Sequence, residues 1–307
     1  MKFSWFGLRC CGGLAVVLLA AALQAQDAAQ PANQHGQVVM GRSVDENGAV
    51  HNQGLAAQGE PAAVAQSARS QVTDGERQAA HIVAYTIDLR MRTATGQMAA
   101  RAQLTVRNEG SQPLHEIPLQ ISSSLNWDRI LMGGKAAKVA VTRLNSDVDH
   151  TGQLNEAAVA LDQPLNPGQS LQLDASYSGS IVLDTHRLAA IGTPEKVARH
   201  SDWDRIGTDF TGIRGLGNVV WYPAVSAPVL LGDGARLFDV MGEHKRRMAG
   251  VRFRMRVTAE FPHGQPPTVA LINGHAVELK VTESGMLDQQ QEVAGTAVAE
   301  LPATSCC

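Results

Sequence analysis

A period of two governs most of this chain. At residues 251–261, Val251, Phe253, Met255, Val257, Ala259 and Phe261 alternate with Arg252, Arg254, Arg256, Thr258 and Glu260. Successive side chains of a strand point to opposite faces, so such a run buries one face and wets the other. The same alternation fills residues 83–91 and 98–107, joined through a turn at Ala94-Thr95-Gly96, which reads as a hairpin. It returns at residues 171–177, after an Asn166-Pro167-Gly168 turn. Residues 114–121 form a further candidate strand, and Pro118 inside it points to an edge or a bulge. Residues 139–144 and 157–161 are shorter candidates, and 219–223 (VVWYP) reads as a short apolar strand. Short strands at this spacing predict an all-β fold, an antiparallel β-sandwich.

Only one segment carries a helical period. At residues 235–248, Leu237, Met241 and Met248 share a face, and Lys245, Arg246 and Arg247 complement the helix dipole in the last turn. Residues 186–217, rich in Gly, Asp and His, are expected to form a long irregular loop. Residues 268–272 and 275–281 flank Asn273-Gly274, a strong hairpin signal. The predicted sandwich domain runs from 80 to 283, and 284–307 is expected to be an irregular tail.

The N-terminus reads as an address. Lys2 and Arg9 precede an apolar run over residues 14–25, with small residues at the expected cut after Ala25 or Ala22. This is the pattern of a secretory signal peptide, assigned to residues 1–25, so the mature chain is expected in the periplasm or outside the cell. Residues 26–79 are rich in Ala, Gln, Gly and Ser without Phe, Trp or Tyr. Such a segment cannot offset its ordering entropy by burial, and a disordered spacer is expected there. A net charge of -3 gives no electrostatic case for nucleic acid or an anionic membrane surface. Cys10 and Cys11 leave with the signal peptide. Cys306 and Cys307 are adjacent and bridge each other only with strain. No disulfide framework is expected, and the role of that pair stays open.

A family resemblance emerges from the order of these motifs. Tyr85-Thr-Ile-Asp-Leu89, a Gly turn, Ala102-Gln-Leu-Thr-Val-Arg-Asn108, a Leu/Ile-rich strand and Pro164-Leu-Asn-Pro-Gly168 follow one another. Residues 171–181, with Tyr177-Ser-Gly179, complete the series. This series resembles the N-terminal domain of M1-family (gluzincin) aminopeptidases over residues 82–183, and more loosely over 251–261. The resemblance implies a saddle-shaped β-structure that precedes a zinc peptidase domain. It also leads one to expect an HExxH helix, a downstream Glu ligand and a GAMEN-like strand. None of these motifs occurs in the sequence. Glu243-His244 has the wrong order, and Met248 stands where a second His would be needed. His244 is expected on an exposed helix face, and no catalytic residue of the family can be assigned here.

The remaining chemistry is sparse. His200, Asp202 and Asp204 lie at i, i+2, i+4 and could ligate a metal together with Asp209 or His186, although a solvated polar loop explains them as well. Arg252, Arg254 and Arg256 form a basic stripe on one strand face, able to meet an anion or a partner's carboxylates. Ser122, Ser123 and Ser124 lack a GxSxG elbow, and residues 212–217 (GIRGLG) lack a nucleotide-loop context. The reading is an exported, non-catalytic domain resembling the N-terminal part of an M1-like metallopeptidase, with no resident cofactor. Its expected partner is another polypeptide or a catalytic domain. A truncated gene product would fit the unfinished ending of the sequence. The alternatives are an extracytoplasmic interaction module and a hydrolase with a metal at His200, Asp202 and Asp204.

Overall fold

The structure, a computed structural model, describes residues 40–44, 50–54, 72–283 and 295–305. The signal-peptide segment and Cys306–Cys307 lie outside the described residues. Within residues 1–57, a unit by itself, strands β1 (Met40–Val44) and β2 (Val50–Gly54) pair antiparallel. The expected spacer over 26–79 therefore contains a hairpin, and it also ends in a helix. That helix, α1 (Asp74–Ala79), opens the second unit. Thr73 accepts the Glu76 N–H while Glu76 accepts the Thr73 N–H, a reciprocal cap that satisfies orphan donors of the first turn.

An eight-stranded sheet dominates this unit. Its strands are β3 (Ala80–Arg92), β4 (Gln97–Asn108), β6 (Leu125–Met132), β7 (Lys135–Ala136), β10 (Ser170–Ser180), β11 (Arg252–Phe261), β14 (Leu279–Glu283) and β15 (Gly295–Ser305). The spatial order is β14-β15-β11-β3-β4-β10-β6-β7. A three-stranded sheet, β5 (Leu114–Ser122), β9 (Gln153–Leu165) and β8 (Val139–Asn145), shares its core. Leu104, Ala102 and Ala175 of the large sheet belong to one cluster with Ile117, Leu119, Ile121 and Val159 of the small one. Each large aliphatic buried there stabilises the fold by about 1.5–3 kcal/mol.

Alternation translates directly into burial. Met98, Ala100, Ala102, Leu104 and Val106 are buried along β4, and Phe253, Met255, Ala259 and Phe261 along β11. On β3 the phase changes once. A bulge between Ile82 and Ala84 puts Ala80 and Ile82 inward before it, and Tyr85, Ile87, Leu89 and Met91 after it, so Val83 is only half-buried. The sheet is not wholly antiparallel, because β11 runs parallel to β3 with Met255 opposite Ile87. Pro118 sits on β5, the edge strand its missing N–H requires.

Four elements differ from the sequence expectation. The tail 284–307 is not irregular throughout: β15 is a strand of the main sheet, paired with β11 and β14. Residues 186–217 hold two short helices, α2 (His186–Ala189) and α3 (Glu195–Ser201). Residues 219–223 form no strand. Instead they run past β5, where the Ser122 N–H donates to the Val220 carbonyl at 2.7 Å and Gln120 exchanges hydrogen bonds with Ala224. Residues 275–281 divide into β13 (His275–Val277), which closes a hairpin on β12 (Ala270–Ile272), and β14, which joins the large sheet. Asn273 and Gly274 have φ of 50° and 77°, the left-handed turn this dipeptide favours. The predicted helix is α4 (Gly234–Met248).

Helix α1 is fastened by a buried ion pair. Arg77 donates from Nε and Nη2 to the two oxygens of Glu156, both at 2.7 Å, and Glu156 also accepts from the Gln120 amide at 2.8 Å. Arg77 and Glu156 are 5% and 1% exposed, so neither charge can be left alone cheaply. Arg77→Met should therefore cost about 3–5 kcal/mol in urea unfolding. Adding Glu156→Gln should restore part of that loss. A single variant as stable as the parent, or a double variant weaker than the single, would contradict this account.

Candidate functional site

Two places in the second unit concentrate unusual features: a buried polar centre and an apolar groove. The polar centre grows from the turn between β8 and β9. Asp149 accepts the Val220 N–H at 2.7 Å, the Thr151 N–H at 3.1 Å and the Ser122 hydroxyl at 2.9 Å. Burial pushes its carboxyl up, against the neighbouring His150 charge and these donors. The next residue, His150, places Nδ1 2.9 Å from Asp202 Oδ2, and the pair is 1% and 3% exposed. Asp202 also accepts the Asp184 N–H at 2.9 Å. Burial works against the charged imidazole, yet the hydrogen bond to Asp202 and the charges of Asp149, Asp202 and Asp184 outweigh it, holding the His150 pKa above its ordinary value. Burial likewise opposes the Asp202 carboxylate, and the His150 contact more than compensates, so its pKa is lowered.

The structure separates the metal candidates. Asp202 is committed to His150. Asp204, fully buried, accepts the Arg214 N–H at 3.0 Å and two guanidinium nitrogens, the shorter contact 2.7 Å. Arg214 in turn stacks 3.9 Å over the Trp203 ring. His200 is exposed in the last turn of α3, with Nδ1 2.6 Å from the Lys196 carbonyl. His186 contacts Asp184 at 2.7 Å, and Asp209 contacts Arg205 at 2.8 Å. Among the described residues, no three His, Cys, Asp or Glu side chains are placed to hold a metal ion. Ser122 donates to a carboxylate rather than to an imidazole, so a Ser-His pair does not form here either.

His244 departs from expectation. It is part-buried under Tyr222, whose hydroxyl lies 3.4 Å from Nε2. Desolvation, with the Arg247 charge second, pushes its pKa down to about 4. The basic stripe of β11 is balanced only in part on the outer sheet face, since Arg252 and Arg254 lie opposite Ser305, Ala84 and Thr86. Arg256 lies across from Asp88 and Glu300 in register, with Arg256 Nε 3.6 Å from Glu300, and Arg92 pairs with Glu260 at 2.9 Å.

The inner face of β11 is different. Met255, Val257, Ala259 and Phe261 line a cavity of about 540 Å³ together with Leu89 and Met91 of β3 and Ala297 and Ala299 of β15. Residues 265–273, including β12, form one wall and residues 207–213 the other. Phe210, Val269 and Leu271 stand at its mouth, 43%, 74% and 68% exposed. The sequence reading singled out β11 but had no means of placing these walls beside it. Nor did it single out His150, although the dense run Asp147-Val-Asp149-His150 was the available signal.

No protein-family model and no curated protein matches the chain. Among solved structures it is similar to M1 zinc metallopeptidase from Deinococcus radiodurans. One structure of a variant bound to a Tyr-Ser-Ala substrate matches at 14% identity and a TM-score of 0.40. Another of that enzyme matches at 15% identity and 0.37. Both likenesses cover 73% of this chain and 39% of the other, so the chain spans well under half of those proteins.

The two histidines give opposite pH signatures. A group whose folded pKa is raised contributes stability that is lost as pH rises through that pKa, so the His150 contribution should fade above about pH 6.5. A histidine held neutral by a lowered pKa costs stability as pH falls, here between 6.5 and about 4, by on the order of 3 kcal/mol. Urea midpoints across pH should show His150→Gln flattening the alkaline limb and His244→Gln the acid limb. Unchanged slopes in both variants would refute the assignment.

Proposed function

We propose that this chain is an exported, M1-metallopeptidase-like domain that works by binding and not by hydrolysis. The observation that carries the reading is the commitment of its acidic and imidazole groups. Asp202 and Asp204 are tied to His150 and Arg214, while His200 faces solvent. A hydrolytic zinc needs about three protein ligands plus an open position and a base. Recruiting Asp202 or Asp204 would strand His150 or Arg214 as an unpaired charge.

The binding place in this reading is the groove beneath β11, since its exposed apolar lips are costly unless covered. The outer sheet face is a weaker candidate, because Arg256 and Arg92 are already matched by Glu300 and Glu260. Export rests on the charged start and apolar run of the N-terminal residues.

Pure protein should release no product from amino-acid anilides, with or without added zinc, and should retain no stoichiometric zinc after dialysis. Zinc-dependent release abolished by His200→Ala would overturn the non-catalytic reading. Expressed in a bacterium with an export pathway, the mature chain should begin at Gln26 or Leu23. An intact Met1 in the soluble fraction would overturn export alone.

A further inference from the structure

The groove exists because three small residues meet on neighbouring strands. Ala259 of β11 faces Ala297 of β15 directly in the ladder, and Ala299 pairs with Val257 one step along. All three alanines are buried, at 9%, 1% and 3% exposure, and line the cavity. Leucines there would fill the hollow from below. The floor is otherwise Leu89, Met91, Met255 and Phe261. Its backbone N–H and C=O groups lie in strands hydrogen-bonded across β3, β11 and β15, so the floor offers shape and apolar contact with few free polar groups.

Polar side chains gather at the mouth, and the half-buried lining residues Thr93 and Thr211 have their hydroxyls committed to the Glu260 and Gly207 carbonyls. Thr208, Gln265, Thr268 and Asn273 are lining residues and all are exposed. Asp209 is the one charged residue among the described lining side chains, and its carboxylate is held by Arg205 at 2.8 Å. Among the described residues, no Lys, Arg or His lines the cavity. An anionic headgroup would thus sit beside a carboxylate with no lining cation. A peptide pressed into the floor would bury backbone donors and acceptors without partners, at a cost of about 1–3 kcal/mol for each.

We infer that the groove is a binding site for an uncharged apolar small molecule, a medium-length aliphatic or aromatic compound whose polar end, if any, stays at the mouth. A volume of about 540 Å³ suits such a ligand. The inference rests on the reading of the groove as the binding place and adds the chemistry of its occupant. Met91 and Met255 supply adaptable thioether contacts on the floor. Phe210 and Leu271 close over the ligand from opposite walls.

The full chain should be titrated with N-phenyl-naphthylamine, a neutral fluorophore, and the bound probe challenged with decanol, decanoate and decylamine. Saturable enhancement is expected, with decanol displacing the probe and decanoate weaker by about tenfold. Ala297→Leu should weaken probe binding about tenfold, with the thermal transition retained. Should that variant fail to fold, Leu271→Ser at the exposed lip serves instead, and it should weaken binding about threefold. Ala99→Leu, on the outer face of β4, should leave binding unchanged. The inference is overturned by non-saturable binding, by decanoate displacing as well as decanol, or by equal probe affinity in folded Ala297→Leu and Leu271→Ser. Displacement by an apolar peptide but not by decanol would overturn it in favour of a polypeptide occupant. None of these results bears on the hydrolysis assay, which tests the non-catalytic reading separately.

Discussion

Strand β11 lies parallel to β3, and much of the molecule hangs on that register. Parallel neighbours cannot be joined by a tight turn and need a long crossover. Here the crossover comprises everything between Arg92 and Arg252, including the whole small sheet. The pairing brings Tyr85 against Phe253, ring centres 5.8 Å apart, with Tyr222 of the crossover stacked edge-on to Tyr85 at 5.7 Å. The Tyr85 hydroxyl then donates to the Pro223 carbonyl at 3.0 Å, tying the returning chain to the sheet. A slip of one residue would reverse both faces of β11, placing its arginines in the core.

Side chains take over where the sheet ladders stop. Between β10 and α4 the backbone is largely irregular, and many of its amides bond to groups of β5 and the β8–β9 turn. Gln120 accepts the Ser226 N–H, Ser146 the Val229 N–H, Asp147 the Leu231 N–H and Asp149 the Val220 N–H. These acceptors serve as a substitute strand edge. Buried amides need partners, and here the partners come from side chains rather than from another strand. The polar centre thereby ties the irregular segment to β5 and the β8–β9 turn.

Local pattern carried the strands and missed the assembly. The runs on β3, β4, β10 and β11 were legible because one face is buried and the other wet. On β9 the sequence shows no such alternation: residues 154–159 are buried on both sides between β5 and β8, and Asn155 and Glu156 are buried among them. On β15 the inward residues are Gly295, Ala297, Ala299 and Leu301, the first three too small to read as an apolar stripe. Gly295 is small for a reason visible only in space, since a Cβ there would meet the Phe261 ring. The site was less legible still. His150 and Asp202 are 52 residues apart, and the groove joins strands from both ends of the described unit. The spacing of His200, Asp202 and Asp204 suggested one cluster, but their side chains go to three different environments.

The sheet also carries a stop on its own growth. Between its pairings with Met255 and Phe253, β15 spends one residue more than β11, so Pro302 and Ala303 bulge out of the ladder. Beyond Ala299, β14 no longer covers the outer edge of β15. An open edge is a template on which a second chain can polymerise. Here the template is broken where it becomes accessible: the bulge twists the strand and proline removes a donor. Among the described residues no strand pairs with this side of β15 beyond Ala299, and a single imino acid at position 302 withholds a donor from that flank.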